Sequence, residues 1–161
     1  TKEEANYGWS NDMTTFNIWA QGRTGIPLID ANMIELNRTG FMSNRGRQNV
    51  ASFLVKDMNV NWQIGAEYFE SLLLDYDPCS NYGNWHYIAG VGSDPRENRY
   101  FNIITQARKY DPDGEYVKHW IPALKNVPGS KLYRLEHISQ EDQEHFGIRL
   151  GADYPKPVVT L

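Results

Sequence analysis

The stretch LLLDYDPCSNYGNW, residues 72–85, sets Asp75 and Asp77 directly after three leucines and follows them with Asn81 and Trp85. Carboxylates, an amide and an indole at the end of an apolar run suit a divalent metal, a bound cofactor or a polar turn. The calcium-loop pattern fails. Counted from Asp75, the third ligand falls on Cys79 and the last on His86, where a bidentate Glu is needed. His86, His119, His137 and His145 are scattered, and no helix carries two of them at metal-ligand spacing. No phosphate-binding glycine loop, nucleophile elbow or dinucleotide fingerprint occurs. No metal is expected.

Arg47 is the cation to set against these carboxylates. On a helix its face continues through Val50, Ala51, Leu54 and Met58, an apolar stripe, and Asn44 shares that side. An arginine on such a stripe needs an anion, because an unpaired buried charge is strongly destabilising. A bidentate Arg47–Asp75 pair would satisfy both groups. A plain staple between two helices, or an arginine reaching up to water, accounts for Arg47 as well.

Several elements must position these groups. Residues 25–40 read as a helix, with Pro27 in its first turn, Ile29, Met33 and Leu36 at helical spacing, and Gly40 closing it. Residues 43–58 follow, capped by Ser43 and carrying Val50, Phe53, Leu54 and Met58. Asn61 caps a third helix, with Ile64, Tyr68, Phe69, Leu72 and Leu73 facing inward, that ends between Asp75 and Pro78. NYGNWHYIAGVG is a short fourth helix, DPRENRYF a loop, and GEYVKHWIPAL a helix carrying Tyr116, Val117 and Trp120. The tail YPKPVV is extended and lies on the surface. Strand alternation is scarce, so the expected class is all-α with long loops.

The 161 residues suffice for one domain, and 40% hydrophobic with 22% charged residues is ordinary for a globular chain. A formal net charge of −4 excludes a whole-protein attraction to nucleic acid and leaves only a local basic patch for it. Cys79 alone excludes an internal disulfide or a cysteine-only metal site, and suits a reducing compartment. No apolar run approaches a membrane span, and TKEEANYGW is unlike a signal peptide. The expectation is a soluble, intracellular protein.

Four segments carry a family resemblance. WAQGRTGIPLIDANM, TGFMSNRGRQNVASFLVKDM, NWQIGAEYFESLLLDYDPCSNYGNWHYIAGVGSDPRENRYF and YDPDGEYVKHWIPAL resemble, in order and spacing, the FAD-binding helical domain of the photolyase/cryptochrome family. Gln48 in NRGRQ and Tyr87 in NWHY look most like its cryptochrome-DASH branch, since conventional dimer photolyases usually have Met and Trp there.

The resemblance implies an all-α FAD-binding domain. Asp75, Tyr76 and Asp77 would border the flavin, with the Arg47–Asp75 pair against its ring and Asn44 at the adenine side. Asn81 would face flavin N5. An amide there cannot readily supply a proton, which implies a reduced, electron-donating flavin and points to repair. Trp85, Trp62 and Trp9 fall on the family's electron-transfer positions, from proximal to surface. Composition alone makes Trp62 and Trp85 core residues. Trp19 and Trp120 are read as core, with a place near the DNA-facing mouth as the alternative for Trp19. Gln48 and Tyr87 would line the pocket for a flipped pyrimidine dimer, while Arg45, Arg96 and Arg99 could reach phosphates. The implied partner is single-stranded DNA carrying such dimers, and light-driven splitting of them is the implied reaction. A blue-light sensor or nucleic-acid-binding module without repair is the alternative.

The family's chains are longer. The 161 residues resemble a single partial domain, the C-terminal portion, without the α/β domain that can hold a folate antenna and without the phosphate clamp for FAD. Retention of flavin by this segment alone is expected to be weak or nil. The parent is expected to be monomeric, and by resemblance chloroplast or mitochondrion would suit a eukaryotic source.

Overall fold

Pro27 and Gly40 bracket a helix as their chemistry requires. Proline occupies the first turn, where its missing N–H is not needed, and Gly40 closes the helix at φ 74, donating its N–H to Leu36 O. The computed structural model describes residues 10–89 and 102–161, without the side chain of Tyr87. Its helices are α1 (Met13–Ala20), α2 (Pro27–Thr39), α3 (Asn44–Ser52), α4 (Trp62–Leu72), α5 (Pro78–Ala89), α6 (Ile103–Tyr110), α7 (Glu115–Trp120), α8 (Gly129–Leu132) and α9 (Gln140–Phe146). Among the described residues there is no strand beyond isolated bridges at Ser10–Val60 and Leu150–Tyr154. The all-α expectation holds.

Helix α2 packs on α3 and α7, and α4 packs on α5. Ile29, Met33 and Leu36 of α2 are fully buried, as their spacing predicts. Ser43 and Asn61 cap α3 and α4 as read, accepting from Gly46 N–H and Gln63 N–H. The core centres on aromatic rings. Trp19 is fully buried, donates its indole N–H to Val50 O at 3.0 Å, and lies 6.1 Å from the rings of both Phe69 and Trp85. Its core reading is therefore right.

Several boundaries differ from expectation. The second predicted helix changes pitch: Phe53–Asp57 forms a π turn, with Met58 N–H bonded to Phe53 O. Helix α4 stops at Leu72, and Pro78 opens α5 rather than merely ending α4. The loop expected at DPRENRYF lies outside the described residues. Helices α1, α6, α8 and α9 were not expected. Of the inward positions expected on α4, Phe69 and Leu73 are buried, while Ile64, Tyr68 and Leu72 are half-buried.

Two contacts lock the frame. Asp30 is fully buried and accepts from Thr24 N–H at 2.9 Å, Thr24 Oγ1 at 2.7 Å, Gly25 N–H at 2.9 Å and Tyr154 Oη at 2.5 Å. Burial pushes its pKa up, against the pull of these four donors. The carboxylate thereby joins the α1–α2 loop to the tail. Gly25 makes that contact possible: its φ is 78, and a methyl there would fall 2.5 Å from the Lys156 backbone. The second contact is between α4 and α5. A methyl on Gly65 would lie 2.4 Å from Trp85 Cη2 and 2.8 Å from Leu54 Cδ2.

Asp30→Asn leaves part of a buried donor set facing an amide, and should cost on the order of 3 kcal/mol in urea unfolding of the full-length polypeptide. Gly65→Ala should cost ~1–3 kcal/mol by overpacking and shift tryptophan emission as the Trp85 indole is displaced. An unchanged unfolding midpoint in either variant refutes the corresponding contact.

Candidate functional site

Helices α3 and α5 and the end of α4 converge on a cavity of about 50 Å³ lined by Arg47, Gln48, Asp75, Asp77, Asn81 and Trp85, with Ala51, Phe69, Leu73, Ser80, Asn84 and Ile88 completing the wall. The arrangement follows from helix geometry. Arg47, Gln48 and Ala51 are neighbours on one flank of α3. Asp77, Asn81, Asn84, Trp85 and Ile88 run along one side of α5 at three- and four-residue steps, starting from the residue just before it.

Each polar group is held. Arg47 donates Nε–H to Met42 O at 2.8 Å, and its Nη2 donates to Asp75 Oδ1 at 2.9 Å and Oδ2 at 3.0 Å. The pair expected from sequence exists, but it is not a bidentate fork: one guanidinium nitrogen serves both oxygens, because Nε is committed to the backbone. The Arg47 side chain is 19% exposed and that of Asp75 60%. A pair this wet contributes at most about 1 kcal/mol to stability, so its effect is orientation.

Asp77 accepts from Cys79 N–H at 2.9 Å and so caps the start of α5, where a carboxylate also meets the positive end of the helix dipole. Asn81 is buried and donates Nδ2–H to Ala66 O at 2.9 Å, which fixes the amide plane. Tyr76 is half-buried on the turn and does not line the cavity; burial and the Glu70 carboxylate push its phenol up, so it is neutral.

Trp85 is 1% exposed and packs edge-on to Phe69 at 5.1 Å. Trp62 is 4% exposed and meets Tyr82 at 6.1 Å and His86 at 5.5 Å. Gly65, under the Trp85 ring, follows Trp62 by about one turn, roughly 4.5 Å of helix rise, so the two indoles are successive along α4. Trp62 Nε1 is buried without a hydrogen-bond partner among the described residues.

Asn44 and Arg45 stand exposed at the start of α3, outside this cavity. Trp9, Arg96, Arg99 and the side chain of Tyr87 lie outside the described residues. The sequence reading missed Ser80, Asn84 and Ile88. The signal was present for Asn84 and Ile88, which share a face with Asn81 and Trp85 in the predicted helix, whereas Ser80 joins that face only when the helix starts at Pro78. Among the described residues no group of three metal-ligating side chains occurs, and no helix is long and apolar enough to cross a membrane.

Comparison with known proteins places this geometry. The whole chain, residues 1–161, matches the family model described as the FAD binding domain of DNA photolyase. Cryptochrome DASH of Synechocystis is 56% identical over 156 residues, which is 97% of this chain and 32% of that protein. The chloroplastic/mitochondrial cryptochrome DASH of Oryza sativa is 66% identical over 153 residues, 95% of this chain and 24% of that protein. The crystal structure of the Synechocystis cryptochrome superposes with a TM-score of 0.93 over 96% of this chain and 32% of its own. That of a bacterial class III photolyase from Agrobacterium tumefaciens, 36% identical, gives 0.92 over 99% and 33%. The chain thus spans about a third of the length of the Synechocystis relative and of the class III photolyase. A helical frame that superposes on both, with sequence identity above half to DASH proteins, establishes that the chain belongs to the photolyase/cryptochrome FAD-binding domain family, alongside its cryptochrome-DASH members, and that FAD is the cofactor of this domain.

Proposed function

We propose that this chain is the C-terminal part of the helical domain of a blue-light flavoprotein that splits cyclobutane pyrimidine dimers, preferentially in single-stranded DNA. The observation that supports it most directly is the meeting of Arg47, Asp75, Asn81 and Trp85 around one cavity. Those residue types fit part of a flavin: a guanidinium and an amide for ring nitrogens and oxygens, and apolar walls for the ring faces. At about 50 Å³ the described cavity is one wall of such a site and not a container for the whole dinucleotide.

When bound, FAD supplies the light-driven electron transfer that opens the dimer. The residues of this chain do the positioning. Arg47, held by Met42 O and Asp75, presents a fixed positive edge to the cavity. Asn81, one of whose two Nδ2–H donors goes to Ala66 O, can still donate or accept a hydrogen bond but has no acidic proton to give. Trp85, Trp62 and Trp9 form the proposed relay for reducing the cofactor. Gln48, exposed at the cavity, is proposed to line the space for the flipped lesion together with Tyr87. Asn44, Tyr76 and Asp77 complete the proposed cofactor contacts, and Arg45 and Arg99 the contacts to DNA phosphates.

The preference for single strands has a physical basis. A lesion must leave the stack to reach the cofactor, and a single strand has already lost the pairing that resists this. The chloroplast or mitochondrial address in the name of the rice relative extends the same proposal to location in a eukaryote.

Two measurements test the reading. Full-length protein with reduced FAD under blue light should remove dimers from an irradiated single-stranded oligonucleotide; no loss of dimer under those conditions leaves light sensing without repair as the function. Arg47→Ala should lower the flavin retained through gel filtration severalfold while the helical spectrum is unchanged, and full retention would remove Arg47 from the cofactor site.

A further inference from the structure

Another flank of α3 walls a second cavity, of about 290 Å³, lined by Phe41, Arg45, Asn49, Gln106, Tyr110 and Tyr116 among others. We propose that it takes an unpaired nucleobase of single-stranded DNA next to the lesion. The proposal rests on the single-strand reading above and gives it a physical site.

The volume stands near the lower end of small-molecule pockets, which run roughly 300–1,000 Å³. Phe41 and Tyr110 are 51% and 48% exposed, among the few large apolar side chains so exposed on the described surface. Rings left open at the rim of a cavity are characteristic of stacking platforms. The Arg45 guanidinium lies 3.7 Å from the Tyr110 ring centroid and donates Nη1–H to Gln106 Oε1 at 3.3 Å. A flat cation and two aromatic rings therefore border the same space, and each is a surface against which a base can lie.

The lining distinguishes a base from a phosphate. Asn49 is only 2% exposed, and its Oδ1 has no hydrogen-bond partner among the described residues. A buried acceptor left unpaired is costly, and an Asn49 amide turned toward the cavity it lines would take an N–H from any DNA base. Glu35 and Asp111 also line the cavity, where Tyr116 Oη donates to Glu35 Oε1 and Tyr133 Oη to Asp111. Carboxylates inside repel a phosphate and tolerate an amine. The phosphate would stay outside with Arg45. Gly46 keeps the wall thin, since a methyl there would fall 2.2 Å from Asn32 Oδ1. In a duplex the neighbouring base is paired and stacked, so the cavity would stay empty.

The experiment uses the full-length, FAD-loaded protein and fluorescence anisotropy. The probes are a short labelled single strand with one thymine dimer, the same strand with abasic neighbours, and the matching duplex. Base–aromatic stacking corresponds to roughly five- to a hundredfold in affinity per base. Phe41→Ala and Tyr110→Ala should each weaken binding to the single strand about tenfold and leave the duplex unchanged. Neither variant should weaken binding to the abasic strand further. Equal losses on strand and duplex, or no loss, overturn the site. A wild-type protein that binds strand and duplex alike sinks the single-strand reading and this site with it. A wild-type preference that survives both substitutions sinks this site alone.

Discussion

The indole of Trp85 rests where Gly65 has no side chain, and much of the site follows from that approach. One turn before Trp85 on α5 is Asn81, and one residue after Gly65 on α4 is Ala66, whose carbonyl Asn81 holds. The same helix contact therefore buries the ring and fixes the amide. Phe69, one turn further along α4, closes on the Trp85 ring, and Trp19 of α1 covers both. Burial of Trp85, Phe69 and Trp19 provides the favourable term, a few kcal/mol for each large side chain. The polar groups at the cavity are positioned by that packing and do not themselves drive it.

The two carboxylates that attract notice differ in kind. Asp75 is more than half exposed, so Arg47 gains direction from it and little stability. Asp30 is fully buried, and four donors converge on it from two separated segments. Removing such an acceptor leaves buried donors without partners, which is where the large penalties of polar burial lie. The structural acid lies in α2 and does not line the cavity, whereas the acid beside the cavity is paired with Arg47 and keeps most of its surface open.

Local chemistry made part of this legible in the sequence. Pro27, Gly40, Ser43 and Asn61 each sit where their backbone and side-chain preferences put them. Arg47 on an apolar stripe correctly demanded an anion, and Asp75 supplies it, although one guanidinium nitrogen serves both oxygens where a bidentate fork was expected. That geometry depends on Met42 O taking Nε, a contact set by the turn before α3. The π turn at Phe53–Asp57 was hidden because Phe53, Leu54 and Val55 are all buried, so no polar face marked the change of pitch. Pro78 misled because proline ends one helix and begins the next with equal ease; Asp77 capping Cys79 N–H decides between them. Helix α9 has no buried residue and hence no stripe to read, though Ser139 and Asp142 form a capping box and Gly147 closes it. The roles of Trp62 and Trp85 were never a matter of periodicity, which makes them core residues. Family resemblance alone suggests more.

Helix α3 changes character along its length, and this is what lets one short element serve two cavities. Its first turns alternate between exposed Asn44, Arg45 and Gln48 and the half-buried Arg47, with polar groups on every flank. From Asn49 to Val55 every residue is buried, through the π turn and into the aromatic core. A helix anchored so completely at one end cannot tilt without opening the core, so its polar end is held in a single orientation. Side chains carried by such an element are placed more precisely than a loop could place them. Arg47 and Gln48 then face one cavity while Arg45 and Asn49 face the other, separated only by the width of a helix whose rotation the packed half forbids.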